Sequence, residues 1–299
     1  MKGKGSFINC VSLICCSVLG FYRGLTSLKN LFLKKAKNMI QQSEQLVQVG
    51  GQTIFVHHYT WDTPKTDTTL VLLHDSLGSV ELWRDWPELL ATQLQCNVMV
   101  YDRVGYGKSQ PLQTSFREAN YLEQEGEFLE RLRQVLELGR LAVFGHSDGA
   151  SIALWYGILY PANTVALVIE AGHIFVEEMT LKGVADAKKA YEETDLRYRL
   201  TKYHGERVEK LCYAWFDIWL DPAYRGWTMV PELHRITSPL LFLQGDLDEY
   251  GTLDQVEQTV TNVSGIAEKY IFEQVGHIPH KEQKEKTLYL ISSFLNHYL

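Results

Sequence analysis

The chain has 299 residues, 45% of them hydrophobic and 22% charged, and a formal net charge of −7. That length allows one sizeable core, or a core with a small insertion, in a composition ordinary for a globular protein. The acidic balance argues against nucleic acid as the main partner, because phosphate binding needs a basic face.

The charge is unevenly spread. Residues 1–38 hold seven basic side chains (Lys2, Lys4, Arg23, Lys29, Lys34, Lys35, Lys37) and no acidic one, so the remainder holds 22 basic against 36 acidic residues, a net of −14. Two lysines before an apolar run from Phe7 to Tyr22 outline an export signal. Asn9 and several serines interrupt that run, cleavage near Gly20 is poorly specified, and most of the positive charge follows the run. The run is also short for a membrane span. Residues 1–38 therefore read as a weak signal or anchor, a loosely attached helix, or coding sequence upstream of a start at Met39. Cys10, Cys15 and Cys16 lie in this leader and only Cys96 and Cys212 in the body. That is neither a disulfide framework nor a zinc site. The body reads as a reduced, cytoplasmic protein, with export, anchoring or membrane contact only if the leader directs it.

From residue 46 the pattern is that of strands. Alternating runs at 46–49 and 52–58 flank Gly50-Gly51 and predict a hairpin. Residues 69–73 form a short, continuously apolar run, as in a strand buried on both faces. A helix is expected over 81–94, a strand over 97–101, and a long helix over 118–138. Further strands are expected at 141–144, 164–169, 240–243 and 269–272, and a terminal helix over 282–299. Strands alternating with helices imply a mostly parallel, doubly wound α/β sheet covered on both faces. Residues 173–235 interrupt the alternation with a helical, aromatic-rich cap insertion, leaving a core of 39–172 and 236–299. Its aromatics, Trp215 and Trp219 among them, would pack the insertion's own small core and together form much of a substrate pocket over the strand ends.

The pentapeptide Gly145-His146-Ser147-Asp148-Gly149 joins the strand at 141–144 to a helix-like run beginning at Ala150. A buried strand that reverses tightly into a helix exposes its middle residue in a strained conformation, and flanking glycines let backbones pass closely. This predicts a nucleophile elbow with Ser147 at its tip and the Asp148 N–H ready for developing negative charge. Alone, the pattern fits a tight structural turn equally well.

A serine hydroxyl needs an imidazole to take its proton and a carboxylate to orient that imidazole. His277 follows Gly276 after the last strand, and Pro279 sets His280 apart from it. The acid falls in the loop after residue 243, where Asp248 holds a Gly-x-x-Asp position and Asp246 reads as a loop brace. Glu170, at the end of the preceding strand, is the runner-up. The order Ser147, Asp248, His277 is the one expected of this elbow type.

With these motifs in this order, the sequence resembles the α/β-hydrolase fold superfamily, in its capped esterase and hydrolase branch. Further carriers of the likeness are Leu72-Leu73-His74 with Gly78-Ser79 and Trp83, the loop Asp102-Arg103-x-Gly105-Tyr106-Gly107-x-Ser109, Gly245-x-x-Asp248 and Gly276-His277. Together they cover about residues 46–299. The resemblance implies a Ser-Asp-His triad and an oxyanion hole built from the Asp148 N–H and one N–H of the loop after His74. Where relatives carry His-Gly, this chain has His74-Asp75, and because Asp tolerates left-handed backbone, Ser76 is expected to supply the second donor.

These readings add up to a serine esterase acting on a small acyl substrate, with no metal or organic cofactor. Asp102 and Arg103 are read as a structural pair. The Asp148 side chain either braces the elbow or faces the pocket and attracts an amine. A carbon–carbon bond hydrolase or cofactor-free perhydrolase would use the same triad, and a non-catalytic binding member of the fold need keep none of it.

Overall fold

The computed structural model describes residues 39–299, so the expectations for the leader lie outside the described residues. Eight strands form one sheet: β1 (Ile40–Val49), β2 (Gln52–Trp61), β3 (Thr69–Leu73), β4 (Asn97–Tyr101), β5 (Leu141–His146), β6 (Thr164–Glu170), β7 (Leu240–Gly245) and β8 (Ala267–Phe272). Their spatial order is β1-β2-β4-β3-β5-β6-β7-β8. β2 runs antiparallel to β1 and β4, and every other neighbouring pair is parallel. The β1–β2 hairpin turns on Gly50 and Gly51, both at positive φ (57° and 80°), a conformation glycine adopts without steric cost. β1 reaches back to Ile40, paired with β2 along its whole length, through exposed polar residues 41–45 that carry no apolar alternation.

β3 and β5 are buried at every residue, which accounts for their unbroken apolar sequences. On one face α2 (Tyr121–Val135) and α3 (Asp148–Leu159) pack Leu122, Leu129 and Ile152 against Val71, Val143 and Leu167. On the other, α1 (Trp86–Leu94) and the terminal helix α8 (Lys284–Tyr298) pack Leu90, Leu94 and Ile291 against Leu70, Phe144 and Val168. Each such aliphatic side chain contributes about 1.5–3 kcal/mol through burial.

The helix expected over 81–94 is broken. A 3₁₀ turn at Val80–Trp83 ends at Arg84, whose φ is 55°, and α1 starts afresh at Trp86 with Pro87 in its first turn, where a missing N–H costs nothing. The long helix is also shorter than 118–138, stopping at Val135. Between β6 and β7 lie α4 (Glu178–Glu193), α5 (Leu196–His204), α6 (Val208–Leu220) and three 3₁₀ turns, followed beyond β7 by α7 (Leu253–Asn262). Edge-on ring contacts among Tyr191, Tyr213 and Phe216, and of Trp219 with Tyr224 and Trp227, hold the inserted helices together. Among the described residues no helix is long and apolar enough to cross a membrane, and Cys96 and Cys212 are buried and unpaired with each other.

Candidate active site

The turn from β5 into α3 holds Ser147 at φ 55°, ψ −122°. Such strain persists only where its surroundings enforce it. A Cβ on Gly145 would sit 2.1 Å from the Gly149 carbonyl oxygen, and one on Gly149 would sit 2.1 Å from that of Leu73, so no other residue fits either place. The Ser147 N–H is tied to the carbonyl of Glu170 at 2.9 Å, which presents Oγ at the carboxyl end of the sheet.

The loops after β7 and β8 bring the partners. His277 Nε2 lies 2.9 Å from Ser147 Oγ, and its Nδ1 lies 2.8 and 2.9 Å from the two oxygens of Asp248. A carboxylate only accepts, so Nδ1 carries the proton and Nε2 is left to receive one from the serine. Asp248 is oriented in turn by the Tyr250 N–H on Oδ1 (2.8 Å) and Gln244 Nε2 on Oδ2 (2.9 Å). Asp246 is exposed, and the Glu170 carboxylate binds His280, so neither competes for His277.

Burial pulls the His277 pKa down, but the Asp248 charge and hydrogen bond outweigh it and hold it above the ordinary 6.5. For Asp248, burial pushes the carboxyl up and His277 more than reverses this, leaving it below its ordinary value. Burial drives His74 and His146 far down, so both are neutral rings. A base must be unprotonated, so with His277 in that role kcat/KM would rise as pH climbs through its pKa in the free enzyme. The acid limb of a pH–rate profile is therefore expected at a midpoint above 6.5, and a midpoint below it would contradict this assignment.

The opposite wall is the loop after β3. His74 accepts the Arg103 N–H on Nε2 (3.2 Å), so its Nδ1–H donates to the Asp75 carbonyl (2.8 Å), which also accepts from the Arg103 guanidinium (2.9 Å). Asp75 is not among the residues at positive φ. Its carboxylate caps the Leu77 N–H at 2.8 Å, so the turn is made by side-chain capping and not by the left-handed backbone expected where relatives have glycine. Ser76 and Ser147 both line the cavity. Asp102 and Arg103 do not pair with each other: Asp102 accepts the N–H groups of Val80 and Lys108 (2.7 and 2.8 Å), and Arg103 stacks on Tyr106.

A cavity of about 470 Å³ opens over the serine. Leu77, Leu82, Leu196, Leu200, Trp215 and Ile278 form its apolar wall, with Asp75, Arg199, Glu249 and Lys281 as its charged members. Two expected pocket residues are elsewhere. Trp219 donates Nε1–H to the Tyr121 hydroxyl (2.8 Å), which donates to Asp148 Oδ2 (3.1 Å), and an Arg103 nitrogen lies 3.9 Å from the same oxygen. Trp219 and the Asp148 carboxylate thus belong to a buried brace beneath the elbow, and their expected substrate contact is corrected. Partners at Arg103 and Tyr121, distant in sequence, turn them inward. Tyr203, one of the cap aromatics, does line the cavity, whereas its leucines were missed, since nothing in their spacing separates a pocket face from a core face.

The model of the alpha/beta hydrolase fold family matches residues 68–228, more than half of the chain. The chain is 25% identical over 296 residues to a proline iminopeptidase of Saccharolobus solfataricus, across 84% of this chain and 93% of the relative. To the serine hydrolase BPHL of Homo sapiens it is 28% identical over 204 residues, across 64% and 66%. Among solved structures, a membrane phospholipase A described as a bacterial virulence factor has a TM-score of 0.68 at 21% identity, with 96% of each chain covered. A proline iminopeptidase of Mycobacterium smegmatis has a TM-score of 0.62 at 17% identity, across 86% of this chain and 98% of that one.

Proposed function

This chain belongs to the alpha/beta hydrolase fold family and is a hydrolase, and we propose that it is a serine hydrolase cleaving a small ester or related acyl compound through an acyl-enzyme. Ser147 Oγ attacks the carbonyl while His277 Nε2 takes its proton, and the same proton then goes to the leaving alkoxide. Water, activated by His277, releases the acid and restores Ser147. Asp248 holds His277 in the required tautomer throughout, and the N–H groups of Asp148 and Ser76 meet the oxyanion. The observation that carries this reading is the unbroken relay of 2.9 and 2.8 Å from Ser147 Oγ to Asp248.

The apolar wall suits a short aliphatic or aromatic acyl group. One of the relatives is a proline iminopeptidase, so an amide of an N-terminal residue is the second reading. A panel of esters of increasing acyl length, run beside N-terminal prolyl amides, separates them. Hydrolysis of neutral esters with kcat/KM at least tenfold above that for the amides is expected, and the reverse ranking overturns ester specificity. In the same panel Trp215→Ala, which removes a buried ring from the cavity wall, should shift preference towards longer chains by about 10-fold or more in relative kcat/KM. An unchanged ranking would remove Trp215 from the acyl site.

A further inference from the structure

Behind the elbow lies a second buried cluster whose side chains take no part in the proposed proton transfers. Glu170 ends β6 and is fully buried, with His146 and His280 2% and 3% exposed. The Glu170 carbonyl accepts the Ser147 N–H at 2.9 Å. Its Oε1 accepts the backbone N–H of His280 at 2.6 Å, and its Oε2 accepts the ring Nδ1–H of the same residue at 2.6 Å. One residue thus grips the nucleophile's backbone through its carbonyl and the histidine loop through its carboxylate. On the other side, Glu282 accepts the N–H groups of Gly276 (3.0 Å) and Ile278 (3.3 Å), the two neighbours of His277.

The side chains of His146, Glu170 and His280 also meet a loose spacing for a cation, with their ligand atoms within 4.8 Å of one another. A direct hydrogen bond between Glu170 and His280 fits the spacing better. Two ligands on a tetrahedral zinc stand roughly 3.3 Å apart, given zinc–nitrogen distances of about 2.0–2.1 Å. Glu170 Oε2 and His280 Nδ1, at 2.6 Å, are at a short hydrogen-bond separation instead.

Resting on the reading of Ser147 and His277 as the catalytic pair, we propose that Glu170 and His280 are positioning residues that lock the His277 loop to the nucleophile elbow. The span from Ser147 to His277 is set by the backbone of the loop. An unanchored loop lets Nε2 drift from Oγ, and a misplacement of about 1 Å costs on the order of 10²-fold in rate. Of the residues that line the cavity, this loop carries His277, Ile278 and Lys281, while most of the wall stands on other segments, so the loss falls on kcat more than on KM.

The test compares His280→Ala with His280→Asn, whose amide N–H can stand where the ring Nδ1–H stood. His280→Ala is expected to lower kcat about 10²-fold with KM within about twofold of the parent, and His280→Asn to recover most of the loss. Parental kcat in His280→Ala, or equal impairment of both variants, would overturn the proposal. If His280→Ala does not fold, Glu170→Gln carries the test, because its carboxamide satisfies one of the two His280 donors and opposes the other. A kcat loss at unchanged KM supports the lock, and parental kcat refutes it. Ser147→Ala run alongside keeps the failures apart: an active Ser147→Ala sinks the catalytic reading, and an inactive one with unimpaired Glu170 and His280 variants sinks only the lock.

Discussion

Ser147→Ala is expected to lower kcat by about 10⁶-fold while leaving the fold and KM nearly unchanged, since elbow serines of this kind act as a unit with their base. That is about 8 kcal/mol of transition-state stabilisation at 1.36 kcal/mol per factor of ten. The change removes one oxygen from a residue whose conformation is set by others: the close passes at Gly145 and Gly149 and the bond from its N–H to Glu170 all remain. Steady-state rates on the preferred ester, with a thermal melt as the folding control, check it. A residual rate within 10²-fold of the parent would mean that another group attacks the carbonyl.

Asp248→Asn should follow at about 10⁴-fold in kcat. Both Asp248 oxygens already accept N–H donors, from Tyr250 and Gln244, besides facing His277 Nδ1. A carboxamide must turn its NH₂ towards one of these donors. Turned towards the ring, it moves the imidazole proton to Nε2, where the ring can no longer take one from Ser147. A pH–rate profile is the second readout, because losing the carboxylate removes the force that lifts His277 above 6.5. An Asn variant within tenfold of the parent would shift the role of acid to another carboxylate.

Much of this arrangement was legible in the sequence because it depends on local features. Ser147 and Asp248 follow short apolar strands and His277 follows the mixed strand β8, and each stands near a glycine signature that marks a turn. The structure brings the three side chains together at the carboxyl ends of β5, β7 and β8. What stayed hidden depends on partners far along the chain. The directions of Asp148 and Trp219 follow from Tyr121, 27 and 98 residues away, and Glu170 meets His280 across 110 residues. The break at Arg84 escaped for a different reason: apolar periodicity carries no signal of a positive φ. At Asp75 a carboxylate caps the turn, a solution that backbone preference alone did not suggest.

In the proposed mechanism Ser147 forms a covalent bond with the acyl carbon. Intact mass of the full chain after exposure to a fluorophosphonate, followed by peptide mapping, tests it most directly. One phosphonyl adduct on the peptide containing Ser147, absent from Ser147→Ala, is the predicted result. An unmodified chain, or an adduct that persists in Ser147→Ala, would contradict it.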